Sequence, residues 1–247
     1  MTDAVLLESL TKTYDDTVTA LDGVTASFPA GSFTAVMGPS GSGKSTLLQC
    51  AAGLDHPTAG RVVIDGTELT ATTDTAMTKF RRLRVGFVFQ EYNLLPSLTV
   101  EQNVVLPLRL AGRRADRRRV GAILAELGLA DRRHDLPGKL SGGQRQRVAV
   151  ARALITEPAV IFADEPTGAL DMRSARDVLA LLRAAVHDHG RTVVMVTHDP
   201  VAAACADSVV FLADGRLAGS LRAPTVDAVA ERLAHLGDAA RGLGAVA

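Results

Sequence analysis

Eight consecutive residues, Gly38-Pro39-Ser40-Gly41-Ser42-Gly43-Lys44-Ser45, fit the spacing G-x-x-x-x-G-K-[ST]. The chemistry of that spacing is anion capture. Glycines let a backbone curl until its N–H groups converge on one point. The helix that opens after the loop, from Thr46, adds the partial positive charge of its N-terminus. Lys44 is then placed to reach the β- and γ-phosphates of a nucleotide, and the Ser45 hydroxyl to ligate Mg²⁺. Two more groups lie downstream. Asp164-Glu165 close the apolar run Ala159-Val160-Ile161-Phe162-Ala163. The first carboxylate suits Mg²⁺ and the second suits the poising of a water. Leu140-Ser141-Gly142-Gly143-Gln144 opens a helix with Ser141 as N-cap. Its glycines leave first-turn N–H groups unshielded, which makes a second anion-binding helix end. Two glycines there cost about 1 kcal/mol each in helix propensity, so a compensating role is expected.

Single residues with chemical potential are more ambiguous. His198 follows the apolar run 192–197, at the carboxyl edge of a parallel strand where ligands bind; taken alone, it reads as a structural histidine. Gln90 closes Val85-Gly86-Phe87-Val88-Phe89 and is either a loop cap or a group that reaches the nucleotide. Tyr14, one of two tyrosines, is either a ring for stacking on a base or an ordinary strand-end residue.

These residues need elements to hold them. The runs 5–10 and 24–28 read as strands with partial alternation. Phe33-Thr34-Ala35-Val36-Met37 reads as a buried strand before the phosphate loop, and a helix follows it to near Gly53. Residues 61–69 read as a hairpin around Asp65-Gly66, and about 74–84 as a helix. From about 91 to 156 the pattern is helical (100–111, 115–127, 142–156), with Pro107 expected to kink the first. That stretch reads as a helical lobe inserted into an α/β core. Helices at about 174–189, 200–206 and 225–236 and a strand at 208–212 complete the chain, with a tail expected to fray. The runs Arg113-Arg114 and Arg117-Arg118-Arg119 read as a solvated helix face, with contact to lipid head groups or an acidic partner as the alternative.

Composition narrows the partners. The 247 residues carry 27 Lys+Arg against 27 Asp+Glu, so no overall field draws nucleic acid, and none is expected as a partner. No apolar run approaches the ~18 residues that cross a membrane. The start lacks a secretory profile. Cys50 and Cys205 are far apart and lack metal spacing, which fits a reducing compartment.

Taken together and in this order, Tyr14, the loop 38–45, Gln90, Leu140-Ser141-Gly142-Gly143-Gln144, the strand 160–164 with Glu165, Asp171 and His198 resemble the ATP-binding cassette (ABC) ATPases. The likeness spans about residues 4–220. Met37 to Leu48, Gly86 to Gln90, Asn93-Leu94-Leu95-Pro96 and Asp164 to Asp171 resemble the macrolide-export, lipoprotein-release and cell-division branch, whose ATPases pair with FtsX-like permeases.

The resemblance implies an α/β P-loop NTPase core with an N-terminal antiparallel β-subdomain and an inserted helical subdomain. It places the ABC domain at 1–222 and a C-terminal helix and tail at 223–247. It implies ATP and Mg²⁺ as cofactors. Gly38 to Thr46, Tyr14, Gln90, Ser141 to Gln144 and Asp171 would contact nucleotide. Ser45, Gln90 and Asp164 would serve the metal, while Glu165, His198 and Lys44 would act in hydrolysis. Two copies would pair head to tail around ATP, on the inner face of the membrane, attached through a permease. A soluble ABC protein acting on DNA or the ribosome is the alternative. Such proteins usually carry paired cassettes or a long coiled-coil insertion, and neither is legible here.

Overall fold

Runs of consecutive apolar residues become the strands at the centre, because a parallel sheet covered on both faces has no solvent side to alternate toward. The computed structural model describes residues 2–244 except Asp16 and Ala71. In chain order the elements are β1 (Asp3–Tyr14), β2 (Val18–Pro29), β3 (Phe33–Met37), α1 (Lys44–Ala51), β4 (Ala59–Ile64), β5 (Thr67–Glu68), α2 (Asp74–Arg84) and β6 (Val85–Phe89). Then come α3 (Val100–Leu110), α4 (Arg117–Glu126), α5 (Gly142–Leu154), β7 (Val160–Asp164), α6 (Met172–His187) and β8 (Thr192–Val196). The last are α7 (Pro200–Ala203), β9 (Ser208–Ala213), β10 (Arg216–Arg222) and α8 (Val226–Gly244).

The main sheet has six strands in the order β10-β9-β3-β8-β7-β6, parallel except for β10. Every residue of β3 and β8 is buried. The register sets the site. Val36 pairs with Val196, Asp164 with Val196, and Phe89 with Asp164. Four strands therefore end level, and the residues that follow them (Gly38, Gln90, Glu165, His198) emerge at one edge.

A second sheet, β2-β1-β4-β5, is antiparallel. Asp65 and Gly66 turn its β4–β5 hairpin with φ of 49° and 73°, the pair of positive values that a tight hairpin turn demands. Leu47 and Leu48 of α1 lie in one apolar core with Val5 and Leu7 of β1 and Val194 and Val196 of β8. The phosphate-loop helix is thus clamped between the two sheets.

Between β6 and β7 the described residues form helices and two short 3-10 turns, with no strand. Val104, Leu108, Val120 and Leu124 of α3 and α4 join the core that also holds Val148 of α5 and Ile161 of β7. The architecture is α/β, with an antiparallel β-subdomain and a helical subdomain.

Some elements differ from expectation. β10 was not legible: five of its seven residues are exposed, so its pattern has no buried face to register. α6 begins two residues early because Asp171 caps it. α7 stops at Ala203, and α8 runs on to Gly244. Pro107 sits in the last turn of α3, which ends three residues later. Fraying was expected beyond 236; residues 237–244 continue α8, and 245–247 lie outside the described residues. Among the described residues no helix is long and apolar enough to cross a membrane.

Candidate functional site

A cleft of about 440 Å³ opens at the level strand ends. Gly38, Ser40, Gly41, Gly43, Lys44, Ser45, Thr46, Glu165 and His198 line it, together with Ala20. The loop's shape depends on absent side chains. Gly43 has φ of 96°, and a Cβ there would stand 2.3 Å from the Ala20 carbonyl oxygen. A Cβ on Gly38 would stand 2.0 Å from that of Leu212. Pro39 and Ser42 shape the loop rather than line the cleft. The Ser42 N–H donates to the Pro39 carbonyl at 3.2 Å, and the Gly215 N–H donates to that of Ser42 at 3.2 Å.

Lys44 Nζ donates to the carbonyls of Gly38 (2.9 Å) and Pro39 (2.7 Å). Burial pushes the Lys44 ammonium below its ordinary range, while Glu165 and Asp164 pull it back up. The Asp164 carboxyl is raised by burial and then by the charge of Glu165, with Lys44 opposing. The three groups form one electrostatic unit: a cation that a phosphate would stabilise, and a carboxylate that a cation would stabilise. The oxygen donors fit Mg²⁺. Ser45 offers a hydroxyl and Asp164 a carboxylate, and Mg²⁺ takes few protein ligands where substrate phosphates supply the rest. Consistently, no cluster of three His, Cys, Asp or Glu able to hold a metal by itself occurs among the described residues.

Glu165 follows in a left-handed conformation, φ 46°, uncommon for a residue with a side chain. Its N–H donates to the Val196 carbonyl (2.9 Å), and the Gly168 N–H donates to its own carbonyl (3.1 Å), so both neighbouring segments hold that bend. The bend brings Glu165 Oε1 to 2.8 Å from His198 Nδ1. Glu165 is largely covered (18% exposed), whereas His198 is open to solvent (74%). Gln90 is exposed one residue beyond the Phe89–Asp164 pair and packs on Gly168.

Tyr14 closes β1 beside the loop helix. Its hydroxyl donates to Asp55 Oδ2 at 2.9 Å. Lys12 Nζ lies 4.8 Å from the ring centroid and donates to Asp55 Oδ1 at 2.7 Å. Burial raises the Tyr14 phenol above its ordinary range.

The other anion-binding helix end is elsewhere. Ser141 Oγ accepts from the Gln144 N–H (3.2 Å), and Gln144 Oε1 accepts from the Ser141 N–H (2.9 Å), a complete capping box. Ser141, Gly142, Gly143 and Gln144 do not line the cleft. Their neighbours are Tyr92, whose hydroxyl is 3.1 Å from where a Gly142 Cβ would lie, and Ser174, similarly 2.6 Å from Gly143. Asp171, expected to contact nucleotide, caps α6 on this chain. Its Oδ1 accepts from the N–H groups of Arg173 and Ser174 at 3.0 Å, and its Oδ2 from the Ser174 hydroxyl at 2.7 Å.

Three structural anchors escaped sequence reasoning. Buried Gln146 donates to the carbonyls of Pro166 (2.7 Å) and Phe89 (3.2 Å), tying the end of β6 to the turn after Glu165. The signal was present, since Gln146 is polar on the α5 face shared with Ala149, Val150 and Ala153. Arg152 donates to the carbonyls of Tyr92 and Asn93. Buried Asn103 holds the 95–99 loop by accepting from the Leu95 N–H (2.8 Å) and donating to three carbonyls.

Known proteins are similar to this chain. The family described as ABC transporter matches residues 21–168. The macrolide export ATP-binding/permease protein MacB of Hyphomonas neptunium is 45% identical over 239 residues, which cover 94% of this chain and 37% of MacB. The chain thus spans little more than a third of that relative. The uncharacterized ABC transporter ATP-binding protein YvrO of Bacillus subtilis is 45% identical over 85% of this chain and 94% of YvrO. The bacitracin export ATP-binding protein BceA of Halalkalibacterium halodurans is 44% identical over 80% and 79%. Among solved structures, the dimeric post-hydrolysis cassette MJ0796 bound to ADP and Pi superposes with TM-score 0.81 at 40% identity, over 90% of this chain and 99% of that one. Cassette, cleft and relatives agree: the chain belongs to the ABC transporter ATP-binding family, and is an ATP-binding ATPase cassette of the kind found with MacB, YvrO and BceA.

Proposed function

We propose that this chain powers an export- or mechanotransmission-type transporter, working as a head-to-tail dimer with ATP between the copies and coupled to a separate FtsX-like permease. One observation carries the reading: the helix end at Ser141 does not line the cleft of its own chain. Each surface alone is half a triphosphate site. A second copy, turned head to tail, brings its Ser141 end to the γ-phosphate held by Lys44. That MJ0796 is a dimer in its ADP- and Pi-bound state supports pairing of two copies.

Within the closed site the chain's residues divide the work. The loop N–H groups and Lys44 bind the phosphates. Ser45, Asp164 and Gln90 would hold Mg²⁺, which when bound neutralises charge on the phosphate oxygens. Glu165 takes the proton of the attacking water. His198, hydrogen-bonded to Glu165 Oε1 at 2.8 Å, orients that carboxylate and reaches the γ-phosphate. Tyr14 stacks on the base. Asp171 supports the Ser141 helix end through Ser174, which packs on Gly143.

The permease would dock near the segment after Gln90. A groove of about 380 Å³ there is lined by Leu54, Phe87, Phe89, Asn93, Pro107 and Arg152, among others. Leu95 stands 45% exposed beside it. The chain would then sit on the inner face of the membrane. Cysteine cross-linking tests this: Leu95→Cys, with Cys50 and Cys205 replaced by alanine, should capture cytoplasmic helices of a co-expressed permease. Capture from α8 alone would place the docking surface elsewhere.

A further inference from the structure

We propose that the turn joining α3 to α4 is a contact site for anionic phospholipid head groups. Residues 109–118 hold five arginines and one aspartate, in a chain whose total charge is zero. Arg109, Arg113, Arg114, Arg117 and Arg118 are all exposed. Among the described residues none of them makes an ion pair, whereas eight other arginines do. The one acid is engaged, because Asp116 Oδ1 accepts the Arg118 N–H (2.9 Å) as the cap of α4. Five exposed guanidinium groups against one carboxylate therefore cluster at the α3–α4 junction, an excess of four positive charges.

The turn is well fixed. The Arg113 N–H donates to the Leu108 carbonyl (2.9 Å), the Gly112 N–H to that of Arg109 (3.0 Å), and Arg82 to that of Leu110 (3.0 Å). At its tip Leu110 is 58% exposed. Basic groups around an exposed leucine suit the boundary between head groups and acyl chains. Nucleic acid suits it less. Single strands are gripped by aromatic platforms, and no aromatic residue occurs between 93 and 161. Arg82, which holds Leu110, also lines the groove assigned above to the permease, as does Pro107 of α3. The patch would face the bilayer that the permease spans. The choice of lipid as occupant rests on that permease reading; the charge cluster itself does not.

Co-flotation of the purified chain with vesicles tests the patch without any permease. Vesicles of two parts phosphatidylcholine to one part phosphatidylglycerol should carry the wild type at low salt, and pure phosphatidylcholine should not. Each arginine near an anionic surface strengthens binding about fivefold. Replacing Arg113, Arg114 and Arg117 by glutamine should therefore weaken flotation about 100-fold, with ATP hydrolysis unchanged. Leu110→Gln should weaken it less. Equal flotation with both vesicle types, or a triple variant that floats like the wild type, would overturn the assignment. So would tighter binding to single-stranded RNA than to the anionic vesicles at the same salt. Failed cross-linking from Leu95→Cys alongside intact flotation would sink the permease reading and leave this one standing.

Discussion

Replacing Gly143 by alanine would put a methyl carbon 2.6 Å from Ser174 Oγ and 2.7 Å from Ser174 Cβ. Ordinary carbon contacts lie at about 3.5–4.0 Å, so the N-terminus of α5 must retreat from that of α6 by about 1 Å. Neither side gives easily. Ser174 is bonded to Asp171 through its hydroxyl (2.7 Å) and its N–H (3.0 Å), and Ser141 and Gln144 lock the α5 end in a capping box. Overpacking costs about 1–3 kcal/mol, and alanine returns about 1 kcal/mol of helix propensity. The net loss of stability is about 0–2 kcal/mol, readable by urea unfolding. The catalytic loss should be larger, because a 1 Å displacement of a positioning group can cost about 100-fold in rate. Gly143→Ala should thus fold nearly as well as the wild type yet hydrolyse ATP about 100-fold more slowly. Adding Ser174→Gly removes the atoms in conflict and should restore most of that rate. An undiminished rate in the single variant would mean that the spacing of the α5 and α6 ends does not set the catalytic geometry. A double variant as slow as the single would show that Gly143 serves the incoming phosphate rather than the α5–α6 packing.

Tyr14→Ala should weaken ATP binding by about 1–3 kcal/mol, the scale of base–aromatic stacking, in a fluorescent-nucleotide titration. Tyr14→Phe keeps the ring but releases Asp55 from the hydroxyl, so it should cost less; equal losses would assign the effect to the hydroxyl. Asp164→Asn should raise the thermal midpoint at pH 7 in the absence of nucleotide while abolishing Mg²⁺-dependent binding. Burial and Glu165 raise the folded-state value of this carboxyl, so the folded chain holds its proton more tightly than the unfolded one. Its stabilising contribution is present below the ordinary carboxylate range and lost as pH rises through the raised value. A lowered midpoint would mean that attraction to Lys44 outweighs burial.

Much of this was legible in the sequence because the chemistry here is local. The phosphate loop, the Asp164-Glu165 pair and the Ser141 helix end each lie within a few consecutive residues, and the apolar runs before them could only be buried strands. That Gly38, Glu165 and His198 meet in one cleft follows from the level ends of β3, β7 and β8, and register of that kind leaves no trace in any single segment. The same holds for Gln146, which couples two strand ends through carbonyls that are 57 and 20 residues away. At Asp171 the structure adds a role that the resemblance did not carry: its two oxygens cap the first turn of α6. β10 was missed because an exposed edge strand has no buried face to betray it. The arginine run divides: Arg119 pairs with Glu157, while among the described residues Arg113, Arg114, Arg117 and Arg118 make no ion pair.

The composite site is tested most directly by the oligomeric state of Glu165→Gln with and without ATP. The amide is a far poorer base, a loss of about 10²–10⁴ in rate, and it removes a negative charge near the triphosphate. Binding should persist while hydrolysis fails. Size-exclusion chromatography should therefore show a dimer with ATP and a monomer without it, whereas the wild type elutes mostly as a monomer. Ser141→Arg in the same protein puts a long side chain into the closing surface and should return it to monomer. An ATP-dependent dimer that survives Ser141→Arg would mean that the Ser141 end of α5 is not the bridging surface and that the two copies do not share ATP through it.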